Sequence, residues 1–166
     1  MKQIILLVIF IASLFVLFGC TAESPTTTND LIKLKQQYSV EEAFSPNLDI
    51  MNSYISELAL LRSKSNFPLS SVIDAEMNSA QSFYYFTKAL DESSAMQYTG
   101  SICNSLEYKN VLDYLDLAIS YANKASSALT VVSPTEAYLL RENQAEIVSS
   151  YNSFSKEMKD SLLDLC

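Results

Sequence analysis

Three kinds of side chain in this sequence could carry a chemistry: paired carboxylates, tyrosines and cysteines. Asp113 with Asp116, and Glu142 with Glu146, stand three and four residues apart, so each pair shares one face of a helix. Convergence of the two pairs inside a bundle would make a site for a hard cation or for acid–base work. These positions fall off the apolar stripes, however, and neither an Asp-rich loop nor a Glu-x-x-His motif accompanies them. A solvated acidic face is therefore the expected reading. The chain has 10 tyrosines, and Tyr114 and Tyr121 lie seven apart with Ala118 and Ala125 beside them. Small neighbours would leave room next to the rings for a partner helix or a ligand groove, and tyrosine suits interfaces. Aromatic stripes at helical spacing ordinarily build core. If any face binds, Tyr114, Ala118, Tyr121 and Ala125 form it.

What is missing narrows the functions further. The sequence contains no histidine, which removes serine–histidine triads, cysteine–histidine pairs and His-containing zinc or di-iron sites. Its two glycines, Gly19 and Gly100, cannot build a P-loop or a Gly-rich dinucleotide turn. A formal net charge of -8 opposes a nucleic-acid surface, because phosphate neutralisation needs clustered Lys and Arg. No cofactor, no metal and no enzymatic activity are expected. With 49% hydrophobic and 18% charged residues, the chain is too apolar to be disordered throughout.

The N-terminus reads as an address. Met1-Lys2-Gln3 gives a positive start, an apolar run follows from Ile4 to Phe18, and the sequence turns polar after Gly19-Cys20. The segment Leu17-Phe18-Gly19-Cys20 resembles the lipobox of bacterial-type prolipoproteins. The resemblance implies cleavage between Gly19 and Cys20 and a diacylglycerol on the Cys20 sulfur. Phe18 departs from that pattern, in which a small or β-branched residue is usual. The alternatives are an uncleaved signal anchor, since the uncharged stretch from Gln3 to Ala22 is long enough to span a bilayer, or plain secretion. The lipoprotein and anchor readings both hold the domain to a membrane, outside the cytoplasm. Removing residues 1–19 takes away one base and no acid, so the mature chain carries 10 bases, 19 acids and a net charge of -9. Such a surface is repelled by anionic headgroups, which leaves attachment to the N-terminal anchor.

The expected divisions are a signal peptide at 1–19, a lipidated tether at 20–30 and a helical domain at 31–166. Within the domain, prolines 46, 68 and 134 fall at the edges of apolar-periodic stretches, and no strand-type alternation or Asn-Gly or Asp-Gly turn appears. Ser45-Pro46 is expected to open a first long helix, and Phe67-Pro68-Leu69-Ser70 to turn into a second. A polar loop is expected at 91–102, before a third helix carrying Leu112, Leu115, Ile119, Ala122 and Leu129. Ser133-Pro134-Thr135-Glu136 reads as a capping box starting a fourth helix whose stripe runs from Ala137 to Leu165. A shorter helical piece is expected near residues 31–44. The fold class is all-α, an antiparallel up-down four-helix bundle. Residues 85–89 and 121–125 (Tyr-Phe-Thr-Lys-Ala and Tyr-Ala-Asn-Lys-Ala) echo each other at a spacing of 36 and look a little like tetratricopeptide-type hairpins. Two such hairpins are the alternative, although a solenoid needs about three repeats.

With Cys20 given to lipid, Cys103 and Cys166 remain for an oxidising compartment. In an up-down bundle the start of helix three and the end of helix four share one end, which makes an internal disulfide the expected state. Two free thiols, or Cys166 joined to another chain, are the alternatives. The same topology predicts that tether and disulfide share an end, with the turns near Pro68 and Ser133 opposite. The function expected is that of a membrane-tethered, non-enzymatic scaffold or protein-partner-binding module in the cell envelope. The alternative is a lipoprotein that binds a small ligand or metal in a tyrosine-lined cleft between helices.

Overall fold

The computed structural model describes residues 26–40, 43–96 and 102–166, and these residues form five α-helices and no strand. They are α1 (Thr28–Gln37), α2 (Leu48–Ser63), α3 (Leu69–Ala95), α4 (Leu106–Leu129) and α5 (Gln144–Asp164), with short 3-10 turns at Ile102–Asn104 and Ala137–Leu139. The described residues form an all-helical bundle. The Leu17–Cys20 segment that resembles a lipobox lies outside the described residues, and so do Glu41, Glu42 and residues 97–101. Among the described residues no helix is long and apolar enough to cross a membrane.

Local chemistry sets the helix starts. The Thr27 amide and hydroxyl both donate to the Asp30 carboxylate at 2.8 Å, so α1 begins inside the stretch expected to be tether. The Thr27 backbone bond, helped by its hydroxyl, also holds the Asp30 carboxyl below its usual pKa. For α2 the cap is Asn47, whose Oδ1 accepts from the amides of Asp49 at 3.0 Å and Ile50 at 3.1 Å. Ser45, expected as the cap, instead accepts from the Asn47 amide, closing a turn just upstream. Ser105 caps α4 by accepting from the Tyr108 amide.

The fourth long helix starts ten residues later than its sequence signal. Ser133 accepts from the Thr135 amide, and Thr135 donates to Glu136, so the expected capping box closes as a local turn. Residues beyond it are then drawn against α1 and the residues that follow it. Leu139 enters the core beneath α1 and α2, and its carbonyl accepts from Lys35 Nζ at 2.8 Å. Arg141 Nε donates to the Val40 carbonyl. These tertiary bonds outcompete the helix that the local pattern favours, and α5 begins only at Gln144. Phe154, expected on its inner stripe, is exposed, while Gln144, Val148, Ser155 and Leu162 are buried. The α3 helix likewise runs to Ala95, through residues expected to be loop.

Successive helices run antiparallel. Ser82 bonds the Ala118 carbonyl and Asn110 bonds Glu92, so numbering falls along α4 as it rises along α3. Tyr108 to Leu162 and Asn123 to Asn152 give the same pattern for α4 and α5. The 27-residue α3, about 40 Å long, packs against α2, α4 and α5. Its first half, with α1, α2 and Leu139, encloses a core of Leu31, Met51, Tyr54, Leu58, Val72 and Ile73. Its second half joins Tyr108, Val111, Leu115 and Leu162 through Ala89, and a third cluster unites Ala122, Ala125 and Val148.

The chain enters at the opposite end from that expected. Thr26 donates through its amide to the Lys64 carbonyl and through its hydroxyl to that of Leu61. The entry point therefore lies beside the Phe67-Pro68 turn, away from Cys103 and Cys166. An even number of helical passes would return the chain to its starting end; α1 adds a fifth pass.

Candidate functional site

Small residues line the packed faces of α3 and α4. Ala118, Ala122 and Ala125 on α4, with Ser79, Ala80, Ser82 and Ala89 on α3, are fully buried. Side chains of this size let two helices approach closely, and Ser82 Oγ donates across the seam to the Ala118 carbonyl at 3.0 Å. Ala118 therefore belongs to the α3–α4 interface and Ala125 to the cluster with Val148 of α5, and neither is part of an open surface. The tyrosines beside them are half-buried at the edge of that interface.

Tyr85 of α3 is the centre of the tyrosine group. Its ring lies parallel to that of Tyr121, with centroids 5.6 Å apart and 3° between planes, and stacks at 6.3 Å on Tyr114. Tyr84 meets Tyr85 edge-on at 5.2 Å. Each ring pair adds about 0.5–1.5 kcal/mol beyond the area it buries. Two ammonium groups flank the stack: Lys88 Nζ is 4.4 Å from the Tyr114 centroid, and Lys124 Nζ is 4.4 Å from that of Tyr121. Burial works against the charge of Lys88, but its hydrogen bond to Tyr114 and the neighbouring phenols outweigh this and raise its pKa. Burial, then Tyr121 and Tyr84, push the Tyr85 phenol up. The 36-residue echo thus relates two adjacent antiparallel helices, with Tyr85 stacked on Tyr121 and with Ala89 and Ala125 both buried.

Tyr114 and Tyr121 each stack on Tyr85 of the neighbouring helix, and Lys88 lies over the Tyr114 ring. The room beside Ala118 is taken by a helix of the same chain, α3, whose Ser82 bonds the Ala118 carbonyl. Two surface hollows lie elsewhere: one of about 250 Å³ lined by Ile32, Lys35, Tyr138, Leu139 and Leu140, and one of about 630 Å³ beside Tyr38 and Phe44. The face as built can lay aromatic edges and two cations against a partner surface.

The two carboxylate pairs stay on the surface, and Glu142 lies before the start of α5, so it does not share a helix face with Glu146. Asp113, Asp116, Glu142 and Glu146 are all exposed, and Asp116 pairs with Lys159. Among the described residues no three His, Cys, Asp or Glu side chains stand close enough to hold a metal ion. Cys103 and Cys166 lie at disulfide distance, Sγ to Sγ 1.99 Å and Cα to Cα 5.7 Å.

A buried charge cluster escaped the sequence reading. Glu76 of α3 and Arg141, from the segment before α5, form an ion pair at 2.8 Å, both almost wholly buried. Tyr54 donates its hydroxyl to the same Glu76 oxygen at 2.9 Å, and the Arg141 guanidinium lies 3.6 Å from the Phe44 ring centroid. Burial first, and then the charge of Glu76, push the Tyr54 phenol far above its ordinary value. Among the described residues, Glu76 Oε2, Arg141 Nη1 and the Gln144 amide have no protein partner. The available signal was a charge inside an apolar stripe, since Glu76 falls between Ile73 and Ala80. No family model matches the chain, and no curated protein or solved structure does.

Proposed function

We propose that this protein is a lipid-anchored, extracytoplasmic, non-enzymatic scaffold whose α3–α4 tyrosine–lysine face engages a protein partner. In this reading Cys20 carries the lipid, Cys103 and Cys166 are oxidised to a disulfide, and α2 to α5 form an antiparallel up-down four-helix arrangement with α1 added alongside. The observation that carries the partner-binding reading is the half-exposed stack of Tyr85, Tyr114 and Tyr121 with Lys88 and Lys124 over its rings. Large rings already fixed by their neighbours lose little side-chain entropy when covered, which suits them to anchor an interface. A membrane anchor would raise the local concentration of the face near a membrane-bound partner and offset a modest intrinsic affinity.

The test is a photo-crosslinking residue placed at exposed Lys124, and separately at exposed Ser56 on α2, in cells that process the lipoprotein. The expected result is a discrete adduct from position 124 that is absent from position 56 and is lost when Tyr85→Ala is added. The same adduct from both positions, or no adduct from position 124, would contradict the assignment of the face.

A further inference from the structure

We propose that the end of the bundle at which Thr26 enters is a membrane-docking face, seated in the headgroup region of the bilayer that holds the anchor. The proposal rests on the lipid-anchored reading, and its occupant is the lipid surface itself. Thr26 lies six positions after Cys20, so the connection spans at most about 20 Å when fully extended. Thr26 is fastened to the last turn of α2 by its bonds to Leu61 and Lys64. The end carrying the Phe67-Pro68 turn is therefore held close to the bilayer. The disulfide end lies about 40 Å away along α3, beyond reach in an upright bundle.

Apolar side chains stand exposed at the near end, as Leu106, Leu163 and Leu165 do at the far end, and the tether decides which of the two ends reaches the lipid. Phe67 is 73% exposed at the tip of the turn, and Leu60 is exposed on the last turn of α2. The helix register brings a third apolar residue to the same level. Ser82 lies opposite Ala118; thirteen residues back along α3 is Leu69, and thirteen onward past α4 is exposed Val131. Aromatic and aliphatic side chains of this kind settle at the boundary of headgroups and acyl chains. The acidic domain gains nothing from anionic lipid, so the seat is apolar, and the tether keeps it populated.

The chain has no tryptophan, so one introduced indole reports its own surroundings. Phe67→Trp and Val131→Trp place it at the proposed face, and Leu106→Trp, at a position 68% exposed near the disulfide, places it at the far end. Each mature lipidated protein is reconstituted on phosphatidylcholine vesicles, with flotation as a separate readout of anchoring. The expected result is that all three float, that indoles at 67 and 131 shift to the blue and are quenched by brominated phosphatidylcholine, and that the indole at 106 is not. If all three float but 67 and 131 stay unquenched, or 106 is quenched equally, docking is overturned and the anchor stands. Protein that does not float overturns the anchor itself, and the docking with it.

Discussion

A guanidinium sealed between a phenyl ring and a carboxylate is expensive to strand. Removing one partner of a buried pair leaves a desolvated charge and typically costs about 3–5 kcal/mol, whereas replacing both by apolar groups can be neutral. Arg141→Ala should therefore lose stability on that scale in urea titrations, and Glu76→Leu combined with Arg141→Met should recover most of it. Equal loss in the single and double variants would mean that the pair contributes through shape alone. The phenols make a second residue-scale prediction. Burial is the first cause raising the pKa of Tyr54, Tyr85 and Tyr151, and the bond to Glu57 is the first cause for Tyr38. A group whose folded value is raised contributes stability that is complete below its unfolded value of 10.0 and is lost as the pH climbs beyond it. Stability should therefore fall above pH 10.0. Phenolate absorbance should show Tyr54 ionising only together with unfolding, and Tyr54→Phe should remove part of that coupling.

At the scale of elements, what the sequence makes legible depends on how local the decisive interaction is. The α3 and α4 stripes were readable because Ile73, Ala80, Leu115 and Ala122 repeat at helical spacing and pack along that period. The start of α5 was not. Ser133 to Glu136 satisfies every rule for a capping box, but the bonds that set the backbone there come from Lys35 and Arg141, roughly a hundred residues from their partners Leu139 and Val40. Single-residue caps give a direct comparison. Asn47→Ala should cost about 1 kcal/mol because its side chain caps two amides of α2. Ser133→Ala should cost only a few tenths, the ordinary range for a surface change outside a helix cap. Parity between the two in thermal melts would contradict the assigned helix starts. The candidate face was half legible: the spacing of Tyr114 and Tyr121 pointed to it, but Tyr85, on another helix, completes it. Ala118→Leu should destabilise by about 1–3 kcal/mol through overpacking of the α3–α4 seam, without adding a binding contact.

Across the whole molecule, the end-to-end layout follows from the count of helical passes. Five passes put the point of entry and the C-terminus at opposite ends, so the Cys103–Cys166 pair closes the end far from Thr26. The pairing was foreseeable, because helix order alone brings those two positions together; the entry end was not, because α1 lay partly within a stretch rich in threonine and polar residues. Closing a loop with a sequence separation of 63 should stabilise the fold by about 4 kcal/mol in the chain-entropy model. Cys103→Ser with Cys166→Ser should lose about that amount in denaturant titrations while the helical circular dichroism of the folded state persists. The central claim is that this bundle is a lipid-anchored, disulfide-closed module. Its most direct test is the intact mass of protein extracted from the membranes of a lipoprotein-processing host, before and after reduction. The account predicts a chain beginning at Cys20 with a diacylglyceryl group, rising by the hydrogens of one reduced disulfide. A chain beginning at Met1 without lipid, and unchanged by reduction, would contradict it.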